Sequence, residues 1–184
     1  MACRKLIGIA KDSCKSNIGG LFTTVWATNR SNLTITKEVN ASTGEETGYV
    51  ELAWKTGFTQ ADMVSYAFRK QSSALTSEGT VNDATGTAMF TNNLNLVFAR
   101  QDVAKRMAIQ ALALQEDLAV IVKDANGEIY FLGIEDSVTA TSIGAETGTA
   151  ATDANQYTIT LTDLTAELPY FVKQATLDTL LGNE

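Results

Sequence analysis

Three pairs of adjacent carboxylates are the residues of this chain whose types could support acid–base chemistry. They are Glu45-Glu46, Glu116-Asp117 and Glu135-Asp136. Glycoside hydrolysis needs two carboxyl groups on facing walls of a cleft, whereas carboxylates that are neighbours in sequence are typical of solvated loop ends. The pairs therefore indicate exposed loops, and we assign no catalytic residue.

The chain contains no histidine. This excludes Ser-His and Cys-His nucleophile pairs, histidine-ligated zinc and imidazole bases. Carboxylates, lysine or tyrosine could still support an enzyme, but we expect no enzymatic activity. The segment 124–128 has the letters of a short calcium loop but lacks the full twelve-residue pattern. Because no phosphate-binding or dinucleotide motif is present either, we expect neither a metal nor a cofactor.

The N-terminal segment and its two cysteines indicate the cellular compartment of the protein. Its apolar run at 6–10 is short and is broken by Lys11 and Asp12, which predicts no signal peptide. Cys3 and Cys14 form no zinc-type motif, and we expect free thiols in a cytoplasm rather than a disulfide. No apolar run approaches the ~18 residues of a membrane span, so we expect none.

Charge restricts the partners further. The 184 residues include 14 Lys and Arg against 21 Asp and Glu, a net charge of -7. A protein that grips nucleic acid needs a surplus of cations, so sustained DNA or RNA binding is not expected. A surface that must not adhere to DNA would have this composition.

The pattern along the chain predicts a mainly β fold. The 25 threonines suit sheets with one wet face. Alternation or continuous apolar runs predict strands at 21–27, 32–36, 49–55, 93–99, 118–123, 128–133 and 156–162. Asn126-Gly127 marks a hairpin turn. The segment 62–70 favours a strand, with a short helix as the alternative, and 166–172 is a candidate closing strand.

One principal helix is predicted at about 101–114, beginning near Asp102. Its apolar residues form two adjoining stripes, Val103, Met107, Ala111 and Leu114 in one and Ala104, Ala108 and Leu112 in the other. This wide apolar face predicts packing against a sheet. The expected organisation is an N-terminal arm at 1–20, which includes a short strand at 6–10, one β-rich domain at 21–172, and a C-terminal tail at 173–184. Within the tail, 176–181 is a possible short helix.

Three polar segments lack apolar periodicity and predict loops: 38–48, 71–87 and 141–155. The second could alternatively be a projecting hairpin. Long loops of this kind are often functional, so we expect them, with both tails, to carry contacts between copies. The candidate contact residues are Glu45, Glu46, Ser73, Leu75, Thr76, Thr80, Val81, Ile143, Thr147 and Thr149.

The order of features over residues 100–162 resembles a known family. A helix leads to the strand Leu118–Lys123, then to Asp124-Ala125-Asn126-Gly127 and to an aromatic strand ending at Leu132-Gly133. The segment 147–158, which reads TGTAATDANQYT, follows. This order is similar to that of tail-tube-like virion structural proteins of tailed phages and prophages of gut bacteria.

The resemblance implies a β-sandwich or barrel of tail-tube type, with copies forming rings that stack into a tube for DNA. It implies a virion location after assembly in the host cytoplasm, partners among tail, portal and capsid proteins, and transient, non-specific DNA passage through an acidic lumen. The alternatives are a connector ring near the portal, a capsid decoration protein or a fibre-anchoring protein. A monomeric binding module or a carboxylate enzyme is the competing class.

Overall fold

The computed structural model describes residues 8, 9 and 17–183, and strands dominate this part of the chain. The strands are β1 Leu21–Asn29, β2 Leu33–Val39, β3 Glu46–Trp54, β4 Val64–Ala67, β5 Ala74–Asn82, β6 Thr87–Ala99, β7 Leu118–Asp124, β8 Ile129–Leu132, β9 Thr139–Glu146, β10 Gln156–Thr165 and β11 Tyr170–Val172. The helices are α1 Val103–Ala113 and α2 Gln174–Leu181. The mainly β prediction is confirmed.

The strands form two sheets. Sheet A has the order β2-β3-β11-β8-β7-β1-β4, and sheet B has the order β5-β6-β10-β9. Strand β11 pairs in parallel with β3, and the other strand pairs are antiparallel. Strand β4 confirms the preference for a strand within 62–70.

The predicted hairpin lies in the middle of sheet A as β7 and β8. Its turn is closed by Asp124, whose carboxylate Oδ1 accepts hydrogen bonds from the backbone amides of Asn126 at 2.9 Å and Glu128 at 2.8 Å. Gly127 has a φ of +98°, which glycine adopts without steric cost. The Asn-Gly signal was therefore correct.

Strand β7 divides the core into two layers because both of its faces are buried. Val120 and Val122 belong to a cluster shared with sheet B, in which Leu94, Leu96 and Ile159 are also buried. Ala119 and Ile121 face the opposite way, into a second cluster completed by Leu177 and Leu180 of α2. Sheet A is therefore enclosed between sheet B on one side and α2 on the other.

Helix α2 shows that the segment after residue 172 is joined to the core. Leu177 and Leu180 are 2% and 1% exposed. The indole Nε1–H of Trp54 donates to the carbonyl of Leu180 at 3.1 Å. Helix α2 ends at Leu181 and is capped by Gly182, which has a left-handed φ of +67°, the usual conformation after a helix C-terminus.

The first stripe predicted for α1 is wrong, whereas Leu112 of the adjoining stripe is buried as predicted. Val103, Met107 and Leu114 are 79%, 58% and 74% exposed, whereas Ile109 and Leu112 are the residues that enter the core. The helix contacts the edge strand β9, so only part of its surface can reach the space between the sheets. Its N-terminus is as expected, since the Asp102 carboxylate accepts from the Lys105 amide at 2.8 Å.

Two of the predicted loops are partly strands. The segment 71–87 contains β5, which forms a hairpin with β6, so the alternative of a projecting hairpin was correct. The segment 141–155 is strand as far as Glu146, and 38–48 is a loop only between Val39 and Glu46. Both β5 and β9 are edge strands with mostly exposed side chains. An edge strand that is wet on both faces shows no apolar alternation.

The N-terminal predictions lie mainly outside the described residues. Cys3, Cys14 and most of the expected strand at 6–10 are in that part of the chain, and Gly8 and Ile9 belong to no strand.

Gly133, which follows β8, tests how tightly the central strands pack. A Cβ at Gly133 would lie 3.1 Å from the Leu118 carbonyl oxygen and 3.3 Å from the Ala119 Cα, whereas one at Gly127 would meet nothing within 4 Å. Both glycines have φ near +100°, so they share the cost of that conformation. We expect Gly133→Ala to lower the free energy of unfolding in urea by about 1–3 kcal/mol more than Gly127→Ala does. Equal losses would show that the φ angle alone sets the cost.

Candidate assembly surface

The outer face of sheet B carries a lattice of threonine, serine and asparagine side chains. Cross-strand register places Ala74, Asn95, Thr160 and Ser142 in one row and Thr76, Asn93, Thr162 and Thr139 in the next. The Thr162 hydroxyl donates to Asn93 Oδ1 at 2.8 Å, and the Thr141 and Thr162 hydroxyl oxygens are 2.9 Å apart. These contacts hold neighbouring strands together through their side chains. They leave a polar face without lysine or arginine, and its edge strands add the carboxylates of Glu78 and Glu146.

This lattice exists because apolar and polar side chains alternate along the central parts of β6 and β10. Leu94 and Leu96 point into the core with no exposed area, as do Ile159 and Leu161 at 0% and 1%. The residues between them must then project to the other side. The four strands of sheet B contain no lysine or arginine, so the chain's cations lie elsewhere.

Sheet B also has two long, open edges. Strand β5 forms one edge and β9 the other, with nine and eight residues. Neither contains lysine, arginine or proline, the residues that commonly protect an edge from pairing with another chain. Sheet A is different, because its edge strand β2 contains Lys37 and its edge strand β4 has four residues. Among the described residues neither edge pairs with a further strand. Helix α1 contacts β9, and Gln101 Nε2 donates to the Glu146 carbonyl oxygen at 2.8 Å, so one end of that edge is partly covered.

The hairpin of β5 and β6 extends past the end of β10. Pairing of β10 with β6 stops at Phe90, whereas β5 and β6 remain paired as far as Asn82 and Thr87. Val81 and Met89 at this tip are 70% and 41% exposed. The hairpin tip therefore projects beyond the sandwich and exposes one apolar side chain on each of its faces.

Charged side chains concentrate on sheet A and the segments beside it. Lys37 lies 3.3 Å from Glu167 and 3.8 Å from Glu46, and its amine is 5.0 Å from the centroid of the Tyr170 ring. Burial lowers the pKa of Lys37, but hydrogen bonding and charge interactions with Tyr170 and Glu167 outweigh it and raise that pKa. Lys173 lies 2.8 Å from Glu38. The two sheets thus differ in chemical character.

The loop between β9 and β10 is closed by Asp153. Its Oδ2 accepts from the backbone amides of Ala150 and Thr149, both at 2.7 Å, and from the Thr149 hydroxyl at 3.1 Å. These bonds favour the ionised carboxylate and lower the pKa of Asp153. The loop is therefore ordered by local hydrogen bonds at the exposed edge of sheet B.

The structure places the predicted contact residues in several regions. Thr76, Thr80 and Val81 are exposed on β5, with Leu75 half-buried beside them. Ile143 is 54% exposed on the opposite edge strand, β9. Thr147 and Thr149 lie in the exposed loop that follows β9.

Ser73, Glu45 and Glu46 lie outside this surface. Ser73 is 6% exposed, and its hydroxyl accepts from the Val97 amide of the same chain at 3.1 Å. Its place among the contact residues stays a prediction. Glu45 is exposed in the loop after β2. The carboxylate of Glu46 accepts from the Tyr170 hydroxyl at 2.6 Å on sheet A.

Several members of the lattice were missed from the candidate list, above all Asn93, Asn95, Thr160 and Thr162. Their signal was in the sequence, because the alternation of 93–99 and 156–162 already predicted which side chains avoid the core. Their assembly into one face depends on β6 and β10 being adjacent.

Searches for other kinds of site and for related proteins were negative. Within residues 8, 9 and 17–183, no group of three or more histidine, cysteine, aspartate or glutamate side chains could hold a metal ion. In the same part of the chain, neither helix has the length and apolar character needed to cross a membrane. No family model, curated protein or solved structure matches this chain.

Replacement of Asp153 tests whether the loop is held by its carboxylate. We expect Asp153→Ala to speed amide hydrogen exchange at Thr149 and Ala150, because these amides lose their shared acceptor. Since hydrogen bonding lowers the pKa of Asp153, the protection is present above the ordinary aspartate pKa and is lost as pH falls through the lowered value. Asp83→Ala in the hairpin turn is the control. Unchanged exchange in Asp153→Ala would contradict this account.

Proposed function

We propose that this chain is a virion structural protein of a tailed bacteriophage, a tail-tube or tail-ring subunit that assembles with copies of itself into a conduit for DNA. The observation that carries the proposal is sheet B. Its polar face has no lysine or arginine and lies between two edge strands that pair with no further strand among the described residues. The resemblance over residues 100–162 supplies the phage context, and the geometry of sheet B supports the assembly.

The open edges support a head-to-tail contact between copies. Strand β5 of one copy can pair with β9 of the next through backbone hydrogen bonds, which is the usual way in which an exposed edge accepts another strand. The two edges lie on opposite sides of the sheet, so each copy can bind two neighbours. A head-to-tail contact produces a ring when its rotation closes.

The outer face of sheet B suits the wall of a conduit. In a ring joined through its edges, the four-stranded sheets form one continuous surface, and the face opposite the core lines the lumen. Its strands contain no cations, and the Thr and Asn side chains bind one another. Phosphates passing along this wall find no lysine or arginine to displace their counterions, so DNA can move without adhering.

Other virion roles remain alternatives with a different prediction. A connector ring near the portal would use the same edges with fixed symmetry and would not stack. A capsid decoration or fibre-anchoring protein would bind through another surface, and the exposed face of α1 with Val103, Met107 and Leu114 favours that possibility.

Particle mass and negative-stain images across a concentration series test the assembly directly. We expect rings or tubes with a central hole in the purified wild-type protein. Ile143→Lys should reduce the assembled fraction by at least about tenfold, because it places a charge on an edge that would otherwise pair. A strict monomer at every concentration would contradict self-assembly.

A matched control exists on sheet A. Val39 is 55% exposed on edge strand β2, and Ile143 is 54% exposed on edge strand β9. Val39→Lys should therefore leave assembly unchanged. If both variants, or neither, lose assembly, the edge of sheet B is not the contact.

A second prediction concerns the face that meets DNA. We expect the double variant Thr158→Lys/Thr160→Lys to give assembled particles that retain double-stranded DNA at low salt, with a steep loss as salt rises. The wild-type protein should retain little. The same Thr-x-Thr arrangement on β2 provides the control Thr34→Lys/Thr36→Lys. Equal retention by the two variants would show that sheet B does not line the lumen.

A further inference from the structure

Three polar side chains are buried on the inner face of sheet B, where the core is otherwise apolar. Asn92, Asp163 and Thr165 are 0%, 1% and 2% exposed. Asn92 and Asp163 lie directly opposite each other on β6 and β10. Buried polar groups of this kind are normally fully hydrogen-bonded, so their partners can be examined one by one.

The amide nitrogen of Asn92 supplies the donors of this cluster. It donates to Asp163 Oδ2 and to the Thr165 hydroxyl oxygen, both at 3.3 Å. The Thr165 hydroxyl in turn donates to the Glu167 carbonyl oxygen. Among the described residues, neither Asn92 Oδ1 nor Asp163 Oδ1 has a hydrogen-bond partner. Two oxygen acceptors, on side chains at directly opposite positions of β6 and β10, are therefore buried without a donor.

Within the described part of the chain, the charges that act on the Asp163 carboxyl group are those of other acids. The nearby charges are those of Glu135 and Asp136, which raise the pKa of Asp163. Burial is the largest cause of the increase, and the hydrogen bond from Asn92 and the nearby Gly133 amide oppose it without reversing it. The Arg30 guanidinium is directed elsewhere, to the carbonyls of Gly133 and Ile134 at 2.8 and 3.0 Å.

We propose that Asp163 carries a proton on Oδ1 and donates it to Asn92 Oδ1, so that the two side chains form a cyclic carboxylic acid–amide pair joining β6 to β10. In this pair the amide N–H and the acid O–H each donate once, and each carbonyl oxygen accepts once. Both unpaired acceptors gain a partner, and no charge is buried. The inference is independent of the proposed function.

The pair makes the join between β6 and β10 sensitive to pH. An acid that keeps its proton longer in the folded state than in the unfolded chain stabilises the fold at low pH, and that stability is lost as pH rises through the folded pKa. Histidine would normally dominate titration near neutral pH, and the chain has none. Among the described residues, Asp163 is thus a group whose titration can weaken the join between β6 and β10 as pH rises.

Thermal unfolding from about pH 4.5 to about pH 9, compared between wild type and Asp163→Asn, tests the pair. In Asp163→Asn the new amide can bind Asn92 in the same cyclic manner without a titrating proton. We expect the melting temperature of wild type to fall relative to that of Asp163→Asn by at least about 3 °C as pH rises. Groups common to both proteins, including Cys3, Cys14 and the N-terminus, cancel in this difference. Parallel pH profiles would overturn the proposal.

Two further variants separate the pair from general charge effects. The swap Asn92→Asp/Asp163→Asn keeps one acid and one amide and should restore the pH dependence. Asp136→Asn removes an exposed neighbouring carboxylate and should retain it. A flat profile in the swap, or loss of the pH dependence in Asp136→Asn, would argue against a specific pair.

A direct measurement does not depend on any variant being stable. The carboxyl carbon signal of Asp163, assigned by its loss in Asp163→Asn, should titrate in solution or solid-state NMR at a higher pH than the signals of exposed aspartates such as Asp136. Titration together with the exposed aspartates would overturn the proposal. So would stabilisation of wild type, but not of Asp163→Asn, by added calcium, since a cation would then occupy the place of the proton.

Discussion

The burial of β7 on both faces is the constraint on which the rest of the structure depends. Val120 and Val122 are fully buried against sheet B, while Ala119 and Ile121 are 1% exposed on the other side, toward α2. A strand with two apolar faces must be covered on both. This requirement places sheet B on one side of sheet A and α2 on the other, so that C-terminal residues complete a core begun by β1.

Sheet B differs from sheet A in the number of faces that it must bury. It needs to bury only one face, because it covers sheet A from outside, and its other face is free to be polar. The alternation in β6 and β10 meets this requirement with leucine and isoleucine inside and threonine and asparagine outside. Such a sheet can contribute its outer face to an assembly without any loss to the core. Its edges are the natural place for neighbours to bind.

Positively charged side chains are also distributed unequally between the two sheets. Lys37 and Lys173 take part in ion pairs with glutamates beside sheet A, whereas the strands of sheet B contain no cation. Asp163 is the buried acid of sheet B, and its neighbours Glu135 and Asp136 are also acidic. In the proposed conduit, a net negative chain whose sheet B face has no cations would keep its contact with DNA transient.

The sequence by itself determined the local elements with strong signals. The alternation of 93–99 and 156–162, the Asn126-Gly127 turn and the Asp102 cap each depend on neighbouring residues, and each was correct. Tertiary structure decided which strands are adjacent, and with it the outer lattice and the facing of Asn92 and Asp163, which are 71 positions apart. It also decided that β5 and β9 are strands, because edge strands with wet faces lack an apolar period. The buried side of α1 depended on its place at the sheet edge, since only contact with the core selects which apolar residues are covered.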